Sequence, residues 1–573
     1  MSDSSRAVLV VGASAAGLSC ACRLARLKPQ WQVTVVEQSQ VFSYAACGLP
    51  YVLSGEIEDV SALRRTSYGA LRDQRFFAEE KGIAVLAGWR ATGVSLAEGR
   101  LRIEGVEGAR SLDWDELVLA SGARARRLPR QPVHPRLSTL HRWDDVEPLK
   151  AALVAGQVRT AAVVGAGPLG CELAEAFADL WGVEVLLFEE TPSPLPGLLD
   201  PELGDFVARH LEEHGVRVLT DSRVEGVSPD DSGVTVEAGS GEFRADICVV
   251  AAGVEPDVEL ARRAGVRLGS TGAIAVDEQL RTNVPHVWAA GDCIEVQDAV
   301  CGLGAYRPLG SLANGQGRTL ANVLAGRADR FPPVAGASAV RVFELNVASV
   351  GATEARARRL GTRVRSCWVT VEDRPHYWPG SARIHVKLVY EPPSGRVLGV
   401  QAAGRGEVVR RVDVATQLLA RGATLADLAH VEHAYSPAYA PPVDPLAVAA
   451  YAAQNQEEGV AAEGPLSPLV EVTDVRWPEE RLRKPAPAVV VHEMSVSGLR
   501  SSPEACLQAE GTVVCAQGGR AAEAVRLIRA LGRQASYLGG GLLWRDAAER
   551  KTPPEEGRPA AETAPSRRGS DRP

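Results

Sequence analysis

The stretch Arg6-Ala-Val-Leu-Val-Val-Gly12-Ala13-Ser14-Ala15-Ala16-Gly17 decides the fold. A short Val-rich run meets a turn of small residues, and a helical pattern follows to about Leu27. A second apolar run, Gln32 to Val36, ends at Glu37. Strand, small-residue turn, helix, strand and acid is the order that binds a dinucleotide. The glycines let the backbone approach a pyrophosphate, the helix N-terminus offers N–H donors, and the acid takes ribose hydroxyls. Ser14 stands at the central glycine position and is small enough to keep that approach open.

The same order returns further along. Thr160 to Val164 reads as a strand, Gly165-Ala166-Gly167-Pro168-Leu169-Gly170 as the turn, and a helix continues to about Leu180. A strand from Val183 to Phe188 then ends at Glu189. One glycine turn is weak evidence, because any tight strand-to-helix turn looks alike. Two complete units in one chain are strong evidence for two nucleotide sites.

Outward from these units, a chain of 573 residues needs several cores. Lys+Arg 63 against Asp+Glu 71 leaves a formal charge of −8, which argues against a nucleic-acid partner. No apolar run is long enough for a membrane span. The first residues lead straight into a strand, without a basic segment and an apolar segment before it, so no export signal is expected. A cytoplasmic location is the matching expectation, with the ten cysteines present as thiols and most of them, Cys20, Cys22, Cys171 and Cys248 included, packed as small core residues. No metal site is expected.

Two later segments carry further signals. Asp115-Glu-Leu-Val-Leu-Ala-Ser121-Gly122 is a strand ending in a small turn, and Thr282 to Gly291-Asp292 is an apolar strand ending in Gly-Asp. A carboxylate at the C-terminal end of a strand can accept a hydrogen bond from a ribityl hydroxyl. From 330 to 460 the pattern changes to hairpin strands, Arg383 to Tyr390 and Val397 to Val400, then a helix over about 406–421. The proline-rich run from Tyr435 to Pro445 reads as rigid and extended. A linker is expected near 455–467, a compact block over 468–546, and a disordered tail from about 549.

Over about residues 5–455 the chain resembles the FAD-dependent pyridine nucleotide–disulfide oxidoreductases. The resemblance implies that Gly12, Ser14, Gly17, Glu37, Ser121, Gly122 and Asp292 hold FAD, with Ala313 on a flavin-covering helix. It implies that Gly165, Gly167, Gly170 and Glu189 hold the nicotinamide dinucleotide. A carboxylate at Glu189 favours the free ribose 2′-hydroxyl of NADH over the 2′-phosphate of NADPH. The implied domains are 1–150 with 280–330 for FAD, 151–279 for NAD(P)H, and 331–455 for dimerisation, hence a homodimer.

Phe42-Ser43-Tyr-Ala-Ala46-Cys47-Gly-Leu-Pro-Tyr51-Val52 carries the chemistry. In glutathione-reductase-type members a second cysteine follows five positions after the first. Val52 stands there, so Cys47 must pair with sulfur from solution. The segment is similar to the single-cysteine branch: coenzyme A-disulfide reductases, NADH oxidases and NADH peroxidases. The Cys-Gly-Leu-Pro-Tyr string resembles the coenzyme A-disulfide reductases most. Ala15 occupies the place of the peroxidase-type histidine, and Ala46 the place of an asparagine common before the cysteine. Cys47 is read as a thiolate nucleophile whose pKa a helix N-terminus or neighbouring dipoles lower. The resemblance implies coenzyme A contacts at Arg23, Arg26 and Ser43. It also implies tyrosines delivered across a dimer interface, Tyr377 and Tyr435, with Tyr439 as a nearby substitute.

In the last block, Val472 to Glu480 resembles the opening of rhodanese domains. Thr512-Val-Val-Cys515-Ala-Gln-Gly-Gly-Arg520 places four residues between Cys and Arg ahead of a helix. Such a loop gathers N–H groups around an anionic sulfur. The resemblance implies a persulfide on Cys515, with Arg520 closing the loop. Protein tyrosine phosphatases use the same device with five intervening residues. The whole reads as α/β: two Rossmann-like dinucleotide-binding domains, an α+β dimerisation domain and a C-terminal α/β rhodanese-like domain. The expected activity is reduction of coenzyme A disulfide, coenzyme A persulfide or polysulfide by NADH through FAD and Cys47, with sulfane sulfur relayed from Cys515. A flavin NADH oxidase with an incidental rhodanese module, and a sulfane-sulfur redox sensor, stand as alternatives.

Overall fold

The computed structural model describes residues 5–486, 488–502 and 511–549. Strand Ala7–Val11 lies at the centre of a five-stranded parallel sheet. Gln32–Glu37 and Glu116–Leu119 flank it, with Ala84–Ala87 and Val287–Ala289 at the edges. Val8, Val10 and Val35 are fully buried, as strands covered on both faces require. The register pairs Val11 with both Val36 and Leu119. The C-terminal ends of these strands therefore align, and the Gly12 turn, Glu37 and Ser121-Gly122 emerge on one edge. Helix Ala15–Leu27 packs against helix Gly310–Leu324 through small residues. A Cβ on Gly317 would lie 2.3 Å from the Ala16 carbonyl oxygen.

The second unit repeats the plan. Its parallel sheet runs Val216–Leu219, Glu184–Phe188, Thr160–Val164, Ile247–Val250, Leu137–Thr139. Helix Pro168–Asp179 follows the second glycine turn. Each unit also carries a three-stranded antiparallel meander, Arg90–Ser95 to Gly108–Asp113 in the first and Val224–Asp230 to Gly241–Ala245 in the second.

The third unit is a five-stranded antiparallel sheet, ordered Ser338–Val342, Leu345–Gly351, Arg396–Gly404, Arg383–Glu391, Arg365–Glu372. Helices Val409–Leu419 and Pro445–Glu457 pack on it. The C-terminal block is a five-stranded parallel sheet, ordered Ala462–Glu463, Ala535–Leu538, Gly511–Val514, Glu471–Asp474, Val489–Glu493.

The segment expected as a linker is structured. A helix reaches Glu457, Val460 is buried in the core of the C-terminal block, and Ala462–Glu463 pairs with Ala535–Leu538. Trp544 is fully buried, its ring edge-on to His385 at 5.1 Å and its Nε1 donating to the Glu202 carbonyl at 3.4 Å. Thr370 Oγ1 donates to the Gly540 carbonyl at 2.7 Å. The block is thus seated on the second and third units, not tethered loosely to them. Apart from Glu549, the expected disordered tail lies outside the described residues. Among the described residues no helix is long and apolar enough to cross a membrane.

Candidate active site

The two glycine turns divide their labour in the same way. Gly12 has φ +109°, and a Cβ there would lie 2.1 Å from the Ala120 carbonyl oxygen. A Cβ on Gly17 would lie 2.0 Å from the Gly12 carbonyl oxygen. Gly165 and Gly170 repeat this, with approaches of 2.7 Å and 1.9 Å. These four serve close strand–turn–helix packing. Gly167 is different, because a Cβ there meets nothing within 4 Å. It borders the open space at the helix N-terminus that a pyrophosphate needs. Ser14 occupies the matching place in the first turn, exposed at the helix N-cap and making no cap hydrogen bond. Gly122, at φ +72°, also borders open space.

Both strand-end acids are locked by their own turns. Glu37 accepts from the Ala13 and Ser39 N–H groups, each at 2.8 Å. Glu189 accepts from the Ala166 and Thr191 N–H groups, each at 2.9 Å. A carboxylate has about four lone-pair sites, so both keep capacity for ribose hydroxyls.

Asp292 follows Gly291, whose N–H donates to Gln316 Oε1 at 2.7 Å. Ala313 is buried beside Gly291 on the same helix as Gln316. Burial pushes the Asp292 carboxyl above the usual carboxylate range. The Tyr306 hydroxyl is shut from solvent with no hydrogen-bond partner among the described residues, and burial, with Asp292 nearby, pushes its pKa up. Ser121 Oγ donates to the Asp257 carbonyl at 2.6 Å. An unpartnered hydroxyl, a poorly solvated carboxylate and a cradle that no Cβ fills suit a large polar cofactor, and FAD fits this set.

Cys47 sits on the single turn Ala46–Gly48, followed by helix Leu49–Leu53 with Pro50 in its first turn. It is the exposed one of the nine described cysteines. Cys20, Cys171 and Cys248 are buried and Cys22 is half-buried; burial pushes Cys20 and Cys248 up to about 12. Val52 is 0% exposed in the core, so position 52 offers Cys47 no partner.

The expected lowering of the Cys47 pKa is not what its surroundings do. Partial burial, then the Glu172 and Asp292 charges, raise it, and the N–H of Cys47 itself only offsets part of that. Glu172 was not foreseen from the sequence. It lies on helix Pro168–Asp179, half-buried, and accepts from the Tyr51 hydroxyl at 3.2 Å. Burial is the main cause that pushes its carboxyl up to about 7. The available signal was an acid breaking the apolar run Cys171-Glu172-Leu173-Ala174-Glu175. Beside it, Glu175 accepts from the Phe343 N–H at 2.8 Å and pairs with Arg341, which also pairs with Glu56. Cys47 therefore stands between the Asp292 end of the first unit and the first helix of the second.

Arg23 donates to Asn322 Oδ1 at 3.1 Å. Desolvation lowers its pKa first, then Arg318, Arg327 and Arg26, so four guanidiniums gather at this exposed corner. Ser43 is buried at φ +56°. Tyr377 and Tyr435 are 64% and 52% exposed. Among the described residues their ring contacts are to His376 and His433 in their own loops.

Cys515 directly follows strand Gly511–Val514, and helix Gly519–Ala530 starts four residues later. The side chain is buried, and the Gly518 N–H donates to its Sγ at 3.1 Å. Arg520 forms a two-pronged pair with Glu480 at 2.6 and 2.7 Å, which holds the Glu480 carboxyl down to about 2. Glu480, and to a lesser degree Cys515, raise the Arg520 pKa.

Comparison with known proteins places this geometry. Residues 6–313 match the pyridine nucleotide-disulphide oxidoreductase family, and residues 337–443 match that family's dimerisation domain. An NAD(P)H sulfur oxidoreductase (CoA-dependent) of Pyrococcus abyssi is 32% identical over 446 residues, 78% of this chain and 97% of the relative. An NAD(P)H coenzyme A polysulfide/persulfide reductase of Pyrococcus horikoshii is 32% identical over 452 residues, 77% of this chain and 97% of the relative. Among solved structures, an NAD-dependent persulfide reductase from A. fulgidus is 35% identical with a TM-score of 0.88, covering 94% of this chain and 99% of its own. The reduced CoADR-RHD of Bacillus anthracis is 28% identical with a TM-score of 0.86, covering 95% of this chain and 98% of its own. The chain belongs to the pyridine nucleotide-disulphide oxidoreductase family and is an FAD-dependent NAD(P)H oxidoreductase.

Proposed function

We propose that this chain reduces a sulfur–sulfur bond of a coenzyme A disulfide, a coenzyme A persulfide or a related polysulfide, with NADH as the reductant. The observation that carries the reading is Cys47: exposed, without a thiol at position 52, and set beside both Asp292 and Glu172. When bound, FAD supplies the two-electron link from the nicotinamide to that sulfur. Cys47 Sγ attacks the outer sulfur bond, forms a mixed disulfide and releases one thiol. Two electrons and two protons, the hydride of NADH and one proton from solution, then return Cys47 to its thiol state and release the second thiol. Over a turnover, NADH, one proton and RSSR′ become NAD⁺, RSH and R′SH.

The other residues take supporting roles in this reading. Arg23, Arg26, Arg318 and Arg327 offer guanidiniums to the phosphates of coenzyme A. Glu189, fixed by Ala166 and Thr191, meets a 2′-hydroxyl and repels a 2′-phosphate. Exposed Tyr377 and Tyr435 fit a second copy of the chain that carries them to its partner's Cys47. The C-terminal block is read as a rhodanese module. Its Cys515, facing the Gly518 N–H and backed by Arg520, holds sulfane sulfur and passes it toward Cys47. The names of the relatives, a CoA-dependent sulfur oxidoreductase and a persulfide reductase, support the same chemistry.

The test is NADH consumption without oxygen, offering coenzyme A disulfide, coenzyme A persulfide and inorganic polysulfide in turn, then air alone. At least one sulfur acceptor is expected to exceed air about tenfold or more. Equal or faster turnover with air, unaffected by Cys47→Ser, would establish the NADH oxidase reading instead.

A further inference from the structure

A group of side chains away from Cys47 has a composition that the redox reading does not use. His210 and His214 lie one helical turn apart, at the end of helix Pro201–Glu213. Positions i and i+4 share a helix face, so both rings point the same way, with centroids 4.5 Å apart. Facing them is Glu344, in the two-residue turn between strands Ser338–Val342 and Leu345–Gly351. Glu344 Oε2 lies 3.2 Å from Nε2 of His210 and 3.2 Å from Nε2 of His214.

The hydrogen bonding of the imidazoles decides what this arrangement holds. His214 Nδ1 sits 2.8 Å from the His210 carbonyl oxygen, which can only accept, so Nδ1 carries the proton. In the neutral ring, Nε2 is then a lone pair turned toward a carboxylate. The His210 side chain is 4% exposed, and its Nε2 has no hydrogen-bond partner despite the approach of Glu344. A buried polar atom without a partner calls for an unseen one.

The turn holds Glu344 in place. Phe343 adopts φ +51°, a left-handed conformation uncommon for a bulky residue. Its ring stacks on His214 at 4.0 Å with 19° between planes, and its N–H donates to Glu175 at 2.8 Å.

We propose that His210, His214 and Glu344 bind one divalent cation of the zinc class, with water as the fourth ligand. The three ligand atoms lie within 4.8 Å of one another. A tetrahedral site with ligands at about 2.0 Å has edges of about 3.3 Å, close to the two 3.2 Å separations. The backbone carbonyl on His214 Nδ1 is the outer contact that metal-bound histidines usually have. Glu344 is 60% exposed, which leaves one side open to water. The run His210-Leu-Glu-Glu-His214 differs from hydrolytic zinc helices, where a glutamate directly follows the first histidine. The position that the glutamate takes in those helices is filled here by Leu211, which is fully buried. The site is structural, a clip between the second unit's helix and the third unit's hairpin. Through Phe343 and Glu175 that hairpin is braced on the helix that bears Glu172.

The test uses the full FAD-loaded chain carrying Cys47→Ser and Cys515→Ser, so that neither thiol can compete for zinc. After chelation and gel filtration, zinc is titrated calorimetrically, and cobalt is added separately to read the ligand set. One equivalent of zinc is expected, with a rise in Tm. The cobalt form is expected to show four-coordinate visible bands without thiolate charge transfer. His214→Ala and the exposed Glu344→Ala are each expected to weaken binding tenfold or more and to abolish the Tm rise. No binding at about 100 µM zinc, or binding that Glu344→Ala leaves unchanged, would overturn the proposal.

Discussion

Cys47 stands exposed on one short turn between two carboxylates, whereas Cys515 is buried at a strand end with a backbone N–H on its sulfur and a guanidinium behind it. The first setting opposes negative charge on sulfur, whereas the second encloses its sulfur away from solvent. The contrast separates two tasks. A thiol with a raised pKa is less often a thiolate, but each thiolate is the stronger nucleophile. That suits attack on a sulfur–sulfur bond and reprotonation at the end of a turnover. A buried sulfur that accepts a backbone N–H, with a guanidinium behind it, is suited to holding a persulfide out of solvent.

Cys47→Ser gives the largest expected effect. NADH oxidation with every sulfur acceptor should fall about a thousandfold or more, with FAD content unchanged by absorbance. Retained sulfur reduction would mean that Cys47 is not the reacting thiol, and the contrast would collapse. Cys515→Ser should lower sulfur transfer from thiosulfate to cyanide about a hundredfold, while reduction of coenzyme A disulfide stays within twofold. Equal losses in both assays would merge the two sulfurs into one obligatory path. Arg520→Lys keeps the charge but loses the two-pronged pair with Glu480. About a tenfold loss in sulfur transfer is expected, again with disulfide reduction unchanged.

The two sulfurs also differ in how legible they were. The Cys47 turn, the absence of a thiol at Val52 and both glycine units could be read from spacing, because each depends on residues close together in the chain. The strands Ala7–Val11, Gln32–Glu37 and Thr160–Val164 form almost where the apolar runs stand. What sets the Cys47 pKa was not legible. Asp292 and Glu172 reach it from strands and helices far away in sequence, and only the folded sheets bring them there. The antiparallel meanders, such as Arg90–Ser95 with Arg100–Gly105, went unread because their outward faces are polar and short. The linker expectation failed for a related reason. Residues 455–467 are polar in composition, yet Val460 and the short strand Ala462–Glu463 are held by partners that come later in the chain.

Glu172→Gln gives the smallest effect and the sharpest test of how Cys47 is tuned. Glu172 ionises near pH 7, so its repulsion of the Cys47 thiolate is switched off in acid and on in base. In the parent enzyme the alkylation profile of Cys47 should therefore carry a second titration near pH 7 besides the thiol's own, since ionising Glu172 opposes the thiolate. In Glu172→Gln the curve should reduce to one proton, with its midpoint lower by about half a unit to one unit. The same shift has a stability consequence. The folded chain keeps the Glu172 proton up to about pH 7, whereas the unfolded chain releases it near about 4.3. Native stability from this group is full below about pH 4 and declines as the pH rises through 7. The Gln variant escapes that decline, so its Tm should match the parent in acid and exceed it at pH 8. A Cys47 alkylation profile that the substitution leaves unmoved would show that burial and Asp292 alone hold that sulfur protonated.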